Sequence, residues 1–221
     1  WVQDYRRGKP VADVKSIGSA DGTGTTITFQ PDPKVFDTID FSWTTIIDHL
    51  RQQAYLTKGV TIHIVDERKG SADEAIHHSF YFEGGIASFV RHLNRNKKVV
   101  NDPPLYVERK AGELNVELAL AYTDDFSERT LTFANNIFTP EGGTHLTGFR
   151  TALTRVLNDY AKSTGFIKDS DALTGDDVRE GLTSVLSIKI PNPQFEGQTK
   201  SKLGNAEVEG IVKSVVGEAL V

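Results

Sequence analysis

The sequence predicts an α+β fold, in which helices and strands follow one another without regular alternation. Three observations predict it. An apolar, β-branched run at residues 184–190 is typical of a buried strand, and apolar residues at helical spacing over 144–162 predict a long helix before it. Two-residue alternation elsewhere predicts further strands. The resulting order of strand, helix, strands, helix, strand, loop and helix is characteristic of the α+β class.

The amino-acid composition limits the classes of protein to which this chain can belong. The 221 residues suffice for one large domain or two small ones, and 38% hydrophobic with 25% charged residues is ordinary for a globular protein. The net charge of −5 means that any nucleic-acid contact must come from a local patch. The absence of Cys excludes disulfides and Cys-ligated zinc, and fits a cytoplasmic protein. Because the chain begins at Trp1 and contains no Met, we expect a fragment or a processed product.

The first part of the chain is predicted to contain one helix among short strands. Ser42 is the predicted N-cap of that helix and Gly59 its C-terminal stop. Adjacent His77 and His78 point to opposite faces of a strand, so they cannot bind one metal together, and no metal site is predicted. The predicted elements are two strands within residues 1–15 around a turn at 7–10, a strand at 25–29, a helix at 41–58, and strands at 60–66 and 77–82 around a charged turn at 67–73.

The second part is predicted to build a sheet followed by helices. The pattern changes at Gly84 and Gly85, where we expect a domain boundary. We expect the next three strands to form an antiparallel sheet. The predicted elements are a helix at 86–93, strands at 105–109, 114–122 and 128–138, helices at 144–162 and 174–181, and the buried strand at 184–190.

Residues 191–205 form the segment that indicates most about function. Two prolines end the preceding strand, and Gln198 and Lys200 follow before a helical pattern that starts near Leu203. We therefore expect a lysine and an amide beside the N-terminal end of a helix, an arrangement that suits a phosphate. An ordinary solvated loop is the alternative. A Walker A loop is excluded, because it needs Gly directly before Lys and Thr199 stands there.

The segment resembles the Gln-Thr-Lys loop of the B subunits of bacterial type IIA topoisomerases, DNA gyrase and topoisomerase IV. Further stretches resemble the same family, run in the family's order and cover almost the whole chain. Each of them is weak alone, and the ordered set is specific. They are Gly22-Thr23-Gly24-Thr25, Phe82-Glu83-Gly84-Gly85-Ile86, Asn135-Asn136-Ile137, Gly142-Gly143-Thr144-His145 through Gly148-Phe149-Arg150, and Thr174-Gly175-Asp176-Asp177 through Gly181-Leu182.

The resemblance implies two domains and a nucleotide site. Residues 1–84 resemble the C-terminal part of a GHKL ATPase sandwich, and residues 85–221 resemble a transducer domain with a ribosomal protein S5 domain 2-like fold. The implied cofactors are ATP and Mg²⁺, with the magnesium ligand upstream of this chain. Lys200 and Gln198 are implied to be catalytic residues that contact the γ-phosphate of ATP. Thr25 is implied to help hold the adenine.

The resemblance also implies three partners: DNA, the topoisomerase A subunit, and a second B subunit in an ATP-dependent dimer. Arg150 is implied to contact DNA phosphates; the alternative is an arginine that covers apolar surface on a solvated helix face. Arg179 and Glu180 are predicted to form structural ion pairs. The general base of the family lies upstream, and its DNA-cleavage residues are also outside this chain. We therefore expect the chain alone to lack ATP hydrolysis and DNA cleavage.

Two other functions are compatible with the pattern. Mismatch-repair and chaperone GHKL proteins share the ATPase plan, so a nucleotide-gated dimerisation module outside the topoisomerases is one alternative. A phosphate-binding enzyme anchored by Lys200 has less support, because no base, nucleophile or metal cluster accompanies the lysine. No apolar run approaches the roughly 20 residues of a membrane span. The sequence does not separate gyrase from topoisomerase IV.

Overall fold

The computed structural model describes residues 1–68, 75–168 and 170–221. Its contacts divide the chain into two units, Trp1–Ile46 and Ile47–Val221. The domain boundary expected at residues 84/85 remains a prediction. The charged turn predicted at 67–73 lies mostly outside the described residues, as does Asp169.

The unit Trp1–Ile46 contains one small hairpin. Its strands β1 (Tyr5–Arg6) and β2 (Lys9–Pro10) pair antiparallel around Arg7 and Gly8, which confirms the predicted strand, turn and strand. The strand predicted at residues 25–29 is wrong, because these residues form no strand in a unit that is described throughout. Alternating apolar residues form a strand only where another segment supplies a ladder. No hydrophobic residue of this unit is buried.

A helix and a hairpin follow as predicted. Helix α1 (Trp43–Leu56) is capped by Ser42, whose Oγ lies 3.3 Å from the amide nitrogen of Thr45. Strands β3 (Ile62–Asp66) and β4 (Ile76–Phe80) pair antiparallel, and His77 and His78 are exposed. Helix α2 (Gly85–Leu93) comes next.

A five-stranded mixed sheet organises the rest of the larger unit. The strands are β5 (Leu105–Ala111), β6 (Leu114–Tyr122), β7 (Arg129–Ala134), β8 (Ile137–Phe138) and β9 (Leu182–Lys189), in the order β5-β6-β9-β7-β8. The antiparallel sheet expected from the strands at 105–109, 114–122 and 128–138 is right for β5 and β6 but wrong for β7, which does not pair with β6 and instead runs parallel to β9, the strand that lies between them. The long helical connection from β7 to β9 returns the chain in the same direction, as parallel pairing requires.

The strand predicted at 128–138 is interrupted by a tight turn. Asn135 and Asn136 have φ values of +49° and +64°, which asparagine tolerates better than most residues, and they separate β7 from β8. The Asn135 side chain donates to the carbonyl of Ile190 and accepts from its amide, both at 2.8 Å. The turn is thereby tied to the end of β9.

Both faces of the sheet are covered. Alternate residues of β6 point to opposite faces: Val116 and Leu118 join the core under the later helices, while Ala119 and Ala121 join the core under α1 and α2. The first core is closed by α3 (Thr144–Ser163) and α5 (Ala206–Ala219), with the short α4 (Gly175–Arg179) before β9. The α+β class is confirmed.

Helices α3 and α5 pack at close range. A Cβ on Gly148 would lie 2.4 Å from the Glu209 carbonyl oxygen, so only glycine lets the two backbones approach this closely. The apolar residues whose spacing predicted α3 include Phe149, Leu153 and Tyr160. Phe149 and Leu153 are buried as that spacing predicts, whereas Tyr160 is 59% exposed. Within the described residues, no helix has both the length and the apolar character to cross a membrane.

A buried carboxyl lies on the α1–α2 side of the sheet. Glu108 and Glu117 are opposite each other on β5 and β6. The Tyr106 hydroxyl lies 2.8 Å from Glu117 Oε1 and 3.0 Å from Glu108 Oε2, and Lys58 Nζ lies 2.6 Å from Glu108 Oε2. A hydroxyl donates one proton, so both tyrosine contacts are hydrogen bonds only if one carboxyl is protonated. Burial raises the pKa of Glu117, so of the two carboxyls it is the one that is more readily protonated.

We expect Glu117→Gln and Glu108→Gln to change the pH dependence of stability in opposite directions. Because the folded-state pKa of Glu117 is raised, the parent loses stability as pH rises above about 4.5, and the glutamine removes that loss. The hydrogen bond from Lys58 lowers the pKa of Glu108, so its stabilisation is present above about 4.5 and absent in Glu108→Gln. Urea unfolding between pH 4 and 8 measures both differences. A difference of the same sign for both variants would contradict this assignment.

Candidate functional site

The segment around Lys200 is a β-hairpin. Strands β10 (Phe195–Glu196) and β11 (Lys202–Leu203) pair antiparallel, and Gln198, Thr199 and Lys200 lie exposed between them. The expected position beside a helix N-terminus is wrong, because α5 begins only at Ala206 and Leu203 belongs to β11. Residues 201–205 separate Lys200 from the first residue of α5, and its charge lies at a hairpin tip.

The base of the hairpin is held by Asn205, which is buried. Its Oδ1 accepts from the amide of Gln194 at 2.7 Å, and its Nδ2 donates to the carbonyl of Asn192 at 3.2 Å. The Gly204 amide also donates to the Gln194 carbonyl at 2.8 Å. Because Asn205 directly precedes α5, one side chain joins both arms of the hairpin to the start of that helix.

The hairpin is docked on the turn before α3. The amide of Leu203 donates to the Gly142 carbonyl, and the amide of Glu141 donates to the Ser201 carbonyl, both at 3.0 Å. A Cβ on Gly143, whose φ is +125°, would lie 2.2 Å from the Leu203 carbonyl oxygen. Gly143 therefore permits an approach that no other residue could make. The Leu203 side chain, fully buried, enters the core.

His145, in the first turn of α3, has a structural role. It is completely buried, and its Nε2 lies 3.1 Å from Thr139 Oγ1. Burial lowers the pKa of His145 to about 4, so the ring is neutral at physiological pH. It holds the start of α3 against the turn that receives the hairpin.

The charge of Lys200 is available at the hairpin tip. Its Nζ lies 5.8 Å from the centre of the Phe195 ring, and among the described residues no carboxylate forms an ion pair with it. Lys202 on the same hairpin differs, because its Nζ pairs with Glu196 at 3.1 Å. Gln198 is exposed beside Lys200. The tip can therefore present an ammonium group and an amide to an anion.

Arg150 belongs to a cluster of charged side chains, only part of which was predicted from the sequence. Its Nη2 donates to Glu128 Oε1 at 2.8 Å, and Arg179 donates to Glu128 Oε2 at 3.1 Å and to Asp176 at 2.6 Å. Burial alone would raise the pKa of Glu128, but the hydrogen bonds from Arg150 and Thr130 bring it below its usual value.

The predicted ion pairing of Arg179 is confirmed. Among the described ion pairs none involves Glu180, which instead caps the end of α4.

The remaining site residues are not brought together with the hairpin. Thr25 is exposed in the unit Trp1–Ile46, in a stretch without regular structure. No group of three or more His, Cys, Asp or Glu side chains that could hold a metal occurs among the residues that the structure describes.

Comparison with known proteins decides the family. A family model described as DNA gyrase B matches residues 85–221. The chain belongs to the DNA gyrase B family. It is 50% identical to the gyrase B protein of Clostridium acetobutylicum over 99% of its length and 50% identical to that of Streptococcus pneumoniae over 98%. It covers 34% and 33% of those proteins, so the chain spans about a third of the curated relatives it matches.

Solved gyrase B structures have the same fold. The 43K ATPase domain of Thermus thermophilus gyrase B, in complex with an aminocoumarin, superposes with a TM-score of 0.80 at 39% identity, over 97% of this chain and 57% of that one. The topoisomerase IV ATP-binding domain of Francisella tularensis superposes with a TM-score of 0.74 at 26% identity, over 96% and 57%. By family, the chain is thus a part of a gyrase B protein.

We expect Gly143→Ala to weaken the docking of the gyrase B hairpin. The added methyl group would clash with the backbone of Leu203 and strain φ, at a cost of about 3 kcal/mol in the free energy of unfolding. Gly112→Ala is the matched control, because Gly112 also has a positive φ but open space around it, and about 1 kcal/mol is expected. Urea denaturation measures both. Equal losses would show that no close approach exists at Gly143.

Proposed function

We propose that this chain couples ATP binding to movement of DNA in a type II topoisomerase. In this proposal residues 1–84 are the C-terminal part of the GHKL ATPase domain. Residues 85–221 are the transducer domain, of ribosomal protein S5 domain 2-like fold. The membership of the gyrase B family supports a topoisomerase over a mismatch-repair or chaperone module, and gives no support to a free-standing phosphate-binding enzyme.

The observation that carries the proposal is the combination of a fixed hairpin base with a lysine at its tip that forms no ion pair among the described residues. ATP supplies a γ-phosphate whose negative charge distinguishes it from ADP. Lys200 would place its ammonium group against that phosphate, and Gln198 would donate a hydrogen bond to it. In a shielded site such a point charge stabilises the transferred phosphoryl group. Thr25 would help hold the adenine.

The contacts at the hairpin base connect Lys200 to the two helices α3 and α5. Leu203 lies on the strand that leads away from Lys200, and its backbone is bonded to the turn before α3. Asn205 ties the same hairpin to α5. A force on Lys200 therefore reaches both helices that cover one face of the sheet. Release of the tip after hydrolysis would loosen this attachment, as in other switches ordered by a γ-phosphate.

We propose no step in which the described residues of this chain bind Mg²⁺. The described residues bring together no cluster of carboxylates or imidazoles that would hold the ion. The described residues would contribute contacts to the γ-phosphate and to the adenine, and the proposed ATP hydrolysis also uses groups from the rest of the B subunit.

DNA and two protein partners complete the proposed function. Arg150 would contact DNA phosphates, and closure of a second B subunit would trap a DNA segment for passage through a break made with the A subunit. The outcome would be supercoiling or decatenation in the cytoplasm.

The test compares Lys200→Ala with Lys202→Ala in the full-length gyrase B protein. Removing a charge-assisted bond to an ionised group costs about 1.5–3 kcal/mol, so ATP hydrolysis should fall at least about tenfold in Lys200→Ala. Dimerisation with a non-hydrolysable ATP analogue should fall with it. Lys202→Ala, which loses only a surface pair with Glu196, should stay within about twofold. Unchanged hydrolysis and dimerisation in Lys200→Ala would refute the γ-phosphate contact.

A further inference from the structure

The charge cluster at the start of β7 bears on how Arg150 could meet DNA. Glu128 holds Arg150 and Arg179 with its two oxygens, and Asp176 also pairs with Arg179. The two arginines and the two carboxylates together have a net charge of zero. In this arrangement the cluster presents no net positive charge to a phosphate, although binding of DNA depends chiefly on such charge.

Glu128 is fixed more firmly than Arg150. Its Oε1 accepts from Thr130 at 2.9 Å as well as from Arg150, and its Oε2 accepts from Arg179, whose side chain is only 16% exposed. Arg150 is held by a single nitrogen and its side chain is 40% exposed. Its buried Nε has no hydrogen-bond partner among the residues that the structure describes. Glu128 would therefore stay in place if Arg150 turned away.

We propose that Glu128 is a carboxylate lock on Arg150, and that a DNA phosphate must displace Glu128 to bind this arginine. The inference rests on the proposed DNA contact of Arg150. An exposed ion pair is weak and screened by salt, so a phosphate can compete for the guanidinium. Displacement leaves Glu128 bonded to Arg179 and Thr130 and gives Arg150 a partner in the phosphate. Glu128 is thus a positioning residue that lowers the affinity for DNA.

The experiment measures binding of duplex DNA by the full-length gyrase B protein, in the presence of a non-hydrolysable ATP analogue, across a range of salt concentrations. The variants are Glu128→Gln, Arg150→Ala and the double variant. Asp176→Asn is the matched control, because it removes the same charge nearby without touching Arg150. Thermal unfolding checks that each variant is folded.

The lock predicts tighter binding in Glu128→Gln, by about threefold or more at low salt, and a slope of log K against log salt steeper by up to about one. Asp176→Asn should change both quantities much less. The double variant should bind like Arg150→Ala, because a lock has no effect once its arginine is gone.

Three results would overturn the lock, and they are distinguishable. If Arg150→Ala binds DNA like the parent, the proposed DNA contact fails and the lock fails with it. If Arg150→Ala weakens binding but Glu128→Gln leaves it unchanged or weaker, the DNA contact stands and Glu128 instead orients Arg150 for the phosphate. Equal strengthening by Glu128→Gln and Asp176→Asn would likewise refute a specific lock.

Discussion

The close approach of Gly143 to Leu203 is the constraint on which the rest of the site depends. A two-stranded hairpin of two residues per strand is too short to be stable by itself. Here it is held by backbone hydrogen bonds to the turn before α3 and by burial of Leu203, which contributes about 1.5–3 kcal/mol. Glycine at 143 makes both possible. Lys200 is thus exposed at the tip of a hairpin whose base is fixed.

The partly buried carboxylates Glu117 and Glu128 have partners, whereas Lys200, the proposed contact to the γ-phosphate, forms no ion pair among the described residues. Glu128 is held by two arginines, and Glu117 shares a network with Tyr106. Lys200 has only an aromatic ring near its ammonium group among the described residues. A lysine that already had a carboxylate partner, as Lys202 has, would have to break that pair before binding a phosphate. The two lysines of one hairpin therefore differ in whether their charge is available to an anion.

Local patterns predicted the parts of the fold that are local in origin. The helix α3, the buried strand β9 and the N-cap at Ser42 follow from spacing and capping chemistry. The hairpin of β10 and β11 was missed, because two-residue strands have no period and the burial of Leu203 depends on a distant turn, the one before α3. The parallel pairing of β7 and β9 is also a tertiary property. The pair Asn135-Asn136 was a signal that could have revealed the turn before β8.

Of the candidate site, the sequence indicated the residues but not their surroundings. The partner of Arg150 lies 22 positions away on another element, and no spacing rule connects them. Lys200 was expected beside a helix N-terminus. Because it lies at a hairpin tip, the link we propose runs through the hairpin base and does not depend on a helix dipole. That link is a chain of backbone bonds, so amide exchange reports on it.

Hydrogen exchange on the full-length gyrase B protein, with and without a non-hydrolysable ATP analogue, tests this link most directly. The amides of Leu203 and Glu141 bond across the junction of hairpin and turn. The account predicts that the analogue slows exchange at both amides in the parent and at neither in Lys200→Ala. Slowed exchange confined to residues 197–201, with no change at the junction, would contradict transmission through the hairpin base.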